Sequence, residues 1–175
     1  KELVNLKNLK LLRLGSNKIG DEGVNALAEH LRHLHSLTHL ELHDNVIGDR
    51  GAEALARELV KLRDLEELCL GTNRIGDEGV RALGLSLRSL QSLIRLELND
   101  NEIKNIAVLV DGCLSSKDSL AHLYLEGTQF SNALNPSPSV PVATWPCHSA
   151  YARRATANRG MSAHTLNYLL VKAWV

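Results

Sequence analysis

His39-x-Glu41-x-His43 is the segment of this chain whose residue types most resemble a reactive centre. Two imidazoles flank a carboxylate, and alternate positions of a strand share one face. The spacing decides against a metal. At roughly 3.3 Å per residue, His39 and His43 stand about 13 Å apart, too far for one ion to bridge. Cys69 is the next candidate, as a thiolate nucleophile. Its expected neighbours across strands are Glu41 and Glu97. Two carboxylates raise a thiol pKa and so suppress the reactive form. His122 falls two strands away, out of reach as a base. The sequence holds no phosphate-binding loop and no triad spacing. The expectation is a non-catalytic chain without metal or cofactor.

The elements that position these residues repeat. Leu9-x-x-Leu12-x-Leu14-x-x-Asn17-x-Ile19-Gly20 returns at Leu37, Leu40, Leu42, Asn45, Ile47 and Gly48. It returns again at Leu65, Leu68, Leu70, Asn73, Ile75 and Gly76. Leu93, Leu96, Leu98, Asn101 and Ile103 make a fourth copy; Leu120, Leu123, Leu125, Thr128 and Phe130 make a fifth. A fixed period of this length is the mark of a solenoid, in which each unit is completed by its neighbours. In each copy the second and third leucines point inward as a short strand, and their neighbours point out.

Past the strand the apolar spacing changes to that of a helix. Val24, Leu27, Ala28 and Leu31 share one face, as do Ala52, Leu55, Ala56 and Leu59, and Val80, Leu83, Gly84 and Leu87. Asp21, Asp49 and Asp77 stand where each helix begins and are expected to act as N-caps. Gly20, Gly23 and their counterparts leave room for a tight strand-to-helix bend. The stacked Asn17, Asn45, Asn73 and Asn101 are expected to satisfy turn backbone groups rather than to bind a ligand. In the fourth copy Asn105 takes the capping position, and Ile106, Leu109, Val110, Cys113 and Leu114 form the apolar face.

The turn pattern Asn17-Lys18-Ile19-Gly20-Asp21-Glu22-Gly23 recurs as Asn45 to Gly51 and as Asn73 to Gly79. It resembles the ribonuclease-inhibitor class of leucine-rich repeats. The resemblance implies an α/β fold: a leucine-rich-repeat solenoid, or β/α horseshoe, with an inner parallel sheet, outer helices and about 4–5 repeats. That class includes the sensing ends of NOD-like receptors and Ran GTPase-activating protein.

The outward strand positions form columns that differ from copy to copy while the leucines do not. One is Leu11, His39, Glu67, Arg95, His122; the next is Arg13, Glu41, Cys69, Glu97, Tyr124. Toward the turns lie Gly15, His43, Gly71, Asn99, Glu126, beside Ser16, Asp44, Thr72, Asp100, Gly127. Arg13, His39, Glu41, His43, Asp44, Glu67, Arg95, Glu97, Asn99, Asp100, His122, Tyr124 and Glu126 are the expected partner-binding residues of a concave face. Tyr124 is its best single anchor. Cross-strand pairing is expected between Arg13 and Glu41 and between Glu67 and Arg95.

The repeats occupy residues 1–130. Lys1 to Leu9 aligns with Arg57 to Leu65, so the chain is expected to open in the last turns of a preceding helix, as a fragment or without its true N-terminus. All four prolines fall in 131–161, which reads as a Pro-rich linker or irregular tail. Residues 162–175 read either as a short helix whose apolar face, Leu166, Leu169, Leu170, Ala173 and Trp174, would cap the open end, or as a disordered tail.

The formal net charge of +0 argues against nucleic acid or a membrane surface as partner of the whole chain, and neither is expected. Cys69, Cys113 and Cys147 show no paired or metal-binding spacing, and residues 1–175 contain no usable Asn-x-Ser/Thr acceptor and no apolar run long enough to span a bilayer. The expectation is a cytoplasmic protein-interaction scaffold, the recognition part of a larger intracellular protein in a NOD-like-receptor-like setting. The alternative is a GTPase-activating protein of the Ran type.

Overall fold

The computed structural model describes residues 6–105, 109 and 120–128. Five short strands, β1 Leu11–Arg13, β2 His39–Glu41, β3 Glu67–Cys69, β4 Arg95–Glu97 and β5 His122–Tyr124, form one parallel sheet in chain order. Three helices, α1 Asp21–Leu31, α2 Asp49–Leu59 and α3 Asp77–Leu87, alternate with the first four strands and pack side by side. The architecture is the expected solenoid of about 4–5 repeats. The expected fourth helix lies mostly outside the described residues; of its apolar face, Leu109 is described and is buried in the core. The linker and tail readings for 131–161 and 162–175 also lie outside them.

Leucine fills the interior in place of aromatics. Leu40, Leu42, Leu68, Leu70, Leu96 and Leu98 are completely buried beneath the sheet, facing the apolar stripes of the helices. Each such side chain contributes roughly 1.5–3 kcal/mol when withdrawn from water. The helix faces follow the sequence spacing: Val24, Leu27, Ala28 and Leu31 on α1, Ala52, Leu55, Ala56 and Leu59 on α2, Val80, Leu83, Gly84 and Leu87 on α3. The strand register is Leu12 opposite Leu40 opposite Leu68 opposite Leu96 opposite Leu123.

The asparagine column joins the repeats. Asn73 Nδ2 donates to Leu70 O and Gly71 O in its own turn and to Leu42 O of the repeat before. Its Oδ1 accepts the Ile47 N–H at 3.1 Å. Asn45 and Asn101 repeat the arrangement. In the fifth repeat Thr128 stands in, its hydroxyl donating to Leu125 O at 2.8 Å.

The aspartates do not act as N-caps. The capping residues are Gly20, Gly48 and Gly76, in extended backbone, and Asp21, Asp49 and Asp77 are the first residues of their helices. From there each carboxylate reaches forward to the next repeat. Asp21 Oδ1 accepts Gly48 N–H at 2.7 Å; Asp49 Oδ1 accepts Gly76 and Gly79 N–H; Asp77 Oδ1 accepts Lys104 and Asn105 N–H. These donors are the orphan amides of the following turn, which its own helix cannot satisfy. The glycines serve this approach rather than a bend, since their φ values near −100° suit any residue. A Cβ on Gly51 would stand 2.7 Å from Asp21 Oδ1 and 2.8 Å from Ile47 Cγ2.

Left-handed backbone falls instead at Ser16, Asp44, Thr72 and Asp100, with φ of 53–55°. Thr72 is the costly member, because a β-branched residue fits this region poorly. Thr72→Asn is therefore expected to raise stability by about 0.5–1 kcal/mol, read as a higher urea midpoint.

Candidate protein-binding face

The strand register sets the outward residues in the columns read from the sequence. Leu11, His39, Glu67, Arg95 and His122 align across the sheet, and Arg13, Glu41, Cys69, Glu97 and Tyr124 align beside them. The turn-side positions continue the ladder through Ser16 N–H to His43 O, Asp44 N–H to Gly71 O, Thr72 N–H to Asn99 O and Asp100 N–H to Glu126 O. All thirteen expected residues therefore lie along one surface.

Charge is paired along it in two groups. Arg13 Nε donates to Glu41 Oε1 at 2.9 Å, as expected, and that hydrogen bond and charge raise the arginine pKa. The pair is solvent-exposed on the arginine side, where water screens it. The expected Glu67–Arg95 pair is replaced. Arg95 Nε donates to Glu97 Oε1 on its own strand at 2.7 Å, and its guanidinium lies 4.7 Å from the centroid of the Tyr124 ring. The aromatic face on β5 draws the side chain away from β3, where Glu67 stands. Partial burial of Arg95 opposes its charge, and the Glu97 hydrogen bond and charge outweigh it, so its pKa is raised. Glu67 stands 3.9 Å from His39 Nε2, beyond hydrogen-bonding distance.

Tyr124 is half-buried and stacks on His122, with ring centroids 6.4 Å apart and 28° between planes. His39 Nδ1 lies 2.8 Å from Thr38 Oγ1. The His43 ring covers Gly15, where a Cβ would meet its atoms at 2.3–2.8 Å, and Asn99 covers Gly71 in the same way. Asn99 also donates to Asp100 Oδ2 at 2.9 Å. Asp44, Asp100 and Glu126 are exposed. His39, Glu41 and His43 thus engage three different partners. Among the described residues no group of three or more His, Cys, Asp or Glu side chains converges as a metal site.

Cys69 is buried within the middle column. Burial first, then the charge and hydrogen bonding of Glu97, push its thiol up to about 12. At pH 8 the native thiol is expected to react with iodoacetamide at least tenfold more slowly than in urea, read by mass spectrometry on the Cys69 peptide. Equal rates would show an accessible thiolate.

Three stretches of the chain, residues 5–28, 30–56 and 61–84, match the family model described as Leucine Rich repeat. These are leucine-rich repeats. No curated protein sequence matches the chain. Among solved structures, leucine-rich repeats of this kind recur in the C-terminal domain of tropomodulin from Caenorhabditis elegans. It is 17% identical over 71% of this chain and 78% of that one, with a TM-score of 0.63. Leiomodin-1 Actin-Binding Site 2 is likewise 17% identical, covering 71% of this chain and 75% of its own, with a TM-score of 0.61. At that identity the likeness establishes the leucine-rich-repeat fold. No helix among the described residues is long and apolar enough to cross a membrane.

The sequence reading missed the forward reach of the aspartates and the packing of His43 and Asn99 over glycines. A signal was available for both. Asp21 and Asp49 are each followed 27 and 30 residues later by Gly, and the turn-side column alternates Gly15, His43, Gly71, Asn99.

Proposed function

We propose that this chain is a non-catalytic protein-binding module that takes its partner on the exposed face of the five-stranded sheet. One observation carries the reading. A rigid scaffold of buried leucines and asparagines holds, in register, columns of exposed side chains that differ from repeat to repeat. Such a surface specifies a partner through its variable positions while its shape stays fixed. Arg95, Glu97, Tyr124 and His122 form its densest cluster, and Arg and Tyr are the residue types that dominate binding energies. The resemblance of the Asn-x-Ile-Gly-Asp-x-Gly turns to the sensing ends of NOD-like receptors supports a regulatory or sensing role. In this reading the chain is the recognition part of a larger intracellular protein. A buried free thiol fits a reducing, cytoplasmic setting.

The test is quantitative binding with face variants. Actin is the first defined partner to assay, by co-sedimentation, because a solved domain of the same fold is an actin-binding site. For any partner so bound, Arg95→Ala with Tyr124→Ala is expected to weaken binding at least tenfold. Substitution of the exposed helix residues Glu22 and Glu29 should leave it unchanged. The reverse result would move binding to the helical side and sink the reading.

A further inference from the structure

The sheet face carries six carboxylates, Glu41, Asp44, Glu67, Glu97, Asp100 and Glu126, against two guanidinium groups, Arg13 and Arg95. Both guanidiniums are already held by the face itself. Glu41 takes Arg13 in a direct hydrogen bond, and Glu97 with the Tyr124 ring takes Arg95 between a carboxylate and an aromatic plane. The face therefore displays, with its own side chains, how it accommodates a planar cation. Neither arginine is left to attract an acidic partner. Asp44, Asp100 and Glu126 repeat the carboxylate chemistry at exposed positions on the turn side, and among the described residues none of them forms an ion pair with Lys or Arg. Three of the four carboxylates left without an arginine therefore stand on one margin of the sheet, near the Tyr124–His122 stack; the fourth is Glu67.

Resting on the sheet-face reading, we propose that the partner of this surface is a protein segment bearing Lys or Arg, laid across the strands along their turn-side margin. The strand spacing sets the register. Asp44 and Asp100 belong to repeats two strands apart, about 10 Å at ~4.8 Å per strand. An extended segment covers that distance in about three residues at ~3.3 Å each. Basic residues three positions apart meet Asp44 and Asp100, and Glu126, one strand beyond Asp100, adds its carboxylate beside the second of them. Complementary charge of this kind raises the association rate and rejects acidic competitors more than it deepens affinity, so salt should weaken binding steeply.

The experiment uses the full 175-residue chain and a fluorescein-labelled peptide of sequence Arg-Gly-Gly repeated four times. Its Glu-Gly-Gly counterpart is the control, and binding is followed by anisotropy. The arginine peptide is expected to bind, at least tenfold more weakly at high salt, and the glutamate peptide not to bind. The triple variant D44N/D100N/E126Q should weaken binding tenfold or more. The variant E22Q/E29Q/D64N removes the same charge from exposed positions off the sheet and should weaken it less than twofold. Circular dichroism and urea midpoints show that both variants fold. Unchanged binding in the first variant, or an equal loss in the second, overturns the proposal. A protein partner lost with Arg95→Ala and Tyr124→Ala but retained by D44N/D100N/E126Q would overturn the basic-segment inference while leaving the binding module in place.

Discussion

Asn73→Ala is expected to lower the stability of the repeat array by about 2–3 kcal/mol. The side chain is buried and joins two repeats through four hydrogen bonds. Its removal strands the Ile47 N–H, next to completely buried side chains where water does not enter, while the carbonyls of Leu42 and Leu70 keep one donor each, from Asn45 and Asn101. A buried polar group left without a partner costs about 1–3 kcal/mol, more than the modest net gain of any single hydrogen bond, and the lost bonds to the carbonyls add to it. Against a typical domain stability of ~5–15 kcal/mol, this loss is large. The same change at Asn17 is expected to cost less than about 1 kcal/mol, because Asn17 is exposed and the carbonyls of Leu14 and Gly15 can turn to water. Urea unfolding followed by helical circular dichroism compares the two. A loss below 1 kcal/mol at Asn73 would mean that its partners find others.

The second large effect is at Gly79. An added Cβ would stand 2.8 Å from Asp49 Oδ1, 2.8 Å from Ile75 Cγ2 and 2.9 Å from the Ala52 Cβ. None of the three can move aside. Asp49 Oδ1 is held by the Gly76 and Gly79 amides, and Ile75 and Ala52 are completely buried. Alanine in place of glycine favours a helix by roughly 1 kcal/mol, whereas overpacking of a closed interior costs about 1–3 kcal/mol. With the Asp49 hydrogen bonds also displaced, Gly79→Ala is expected to destabilise by about 2–3 kcal/mol. Gly23 is the control. Its added Cβ meets only Ile19, a half-buried side chain, and no aspartate reaches it. Gly23→Ala should change stability by less than about 1 kcal/mol in either direction. Equal losses at the two positions would assign the effect to backbone conformation instead of the joint.

The comparison between positions shows why parts of this molecule are legible in its sequence. Leucine spacing forces strand and helix faces, because an interior can be sealed only if the apolar residues recur with the period of each element. The exposed columns follow at once, since a fixed repeat length places the same strand position of every copy side by side. The asparagines were legible for a similar reason: a buried amide must be satisfied, and turn carbonyls are within its reach. Asp49 misled because its place beside a helix start fits a cap as well as it fits a joint; the deciding partners, Gly76 and Gly79, lie a full repeat away. Arg95 misled because a long side chain chooses among partners on three strands, and the choice fell to an aromatic ring on β5. The strained backbone at Thr72 left no mark in residue type.

Asn and Asp tie the joints in opposite directions. Asn73 completes the repeat before it, and Asp49 completes the repeat after it. A repeat carrying both can therefore be copied next to itself, and the new junction inherits every bond of the old one. Repeats built on β2 and β3 meet that condition. The fourth repeat has Asn105 where its predecessors have Asp, so copies inserted after it would meet a different junction. Gene duplication would be expected to lengthen this array from its middle.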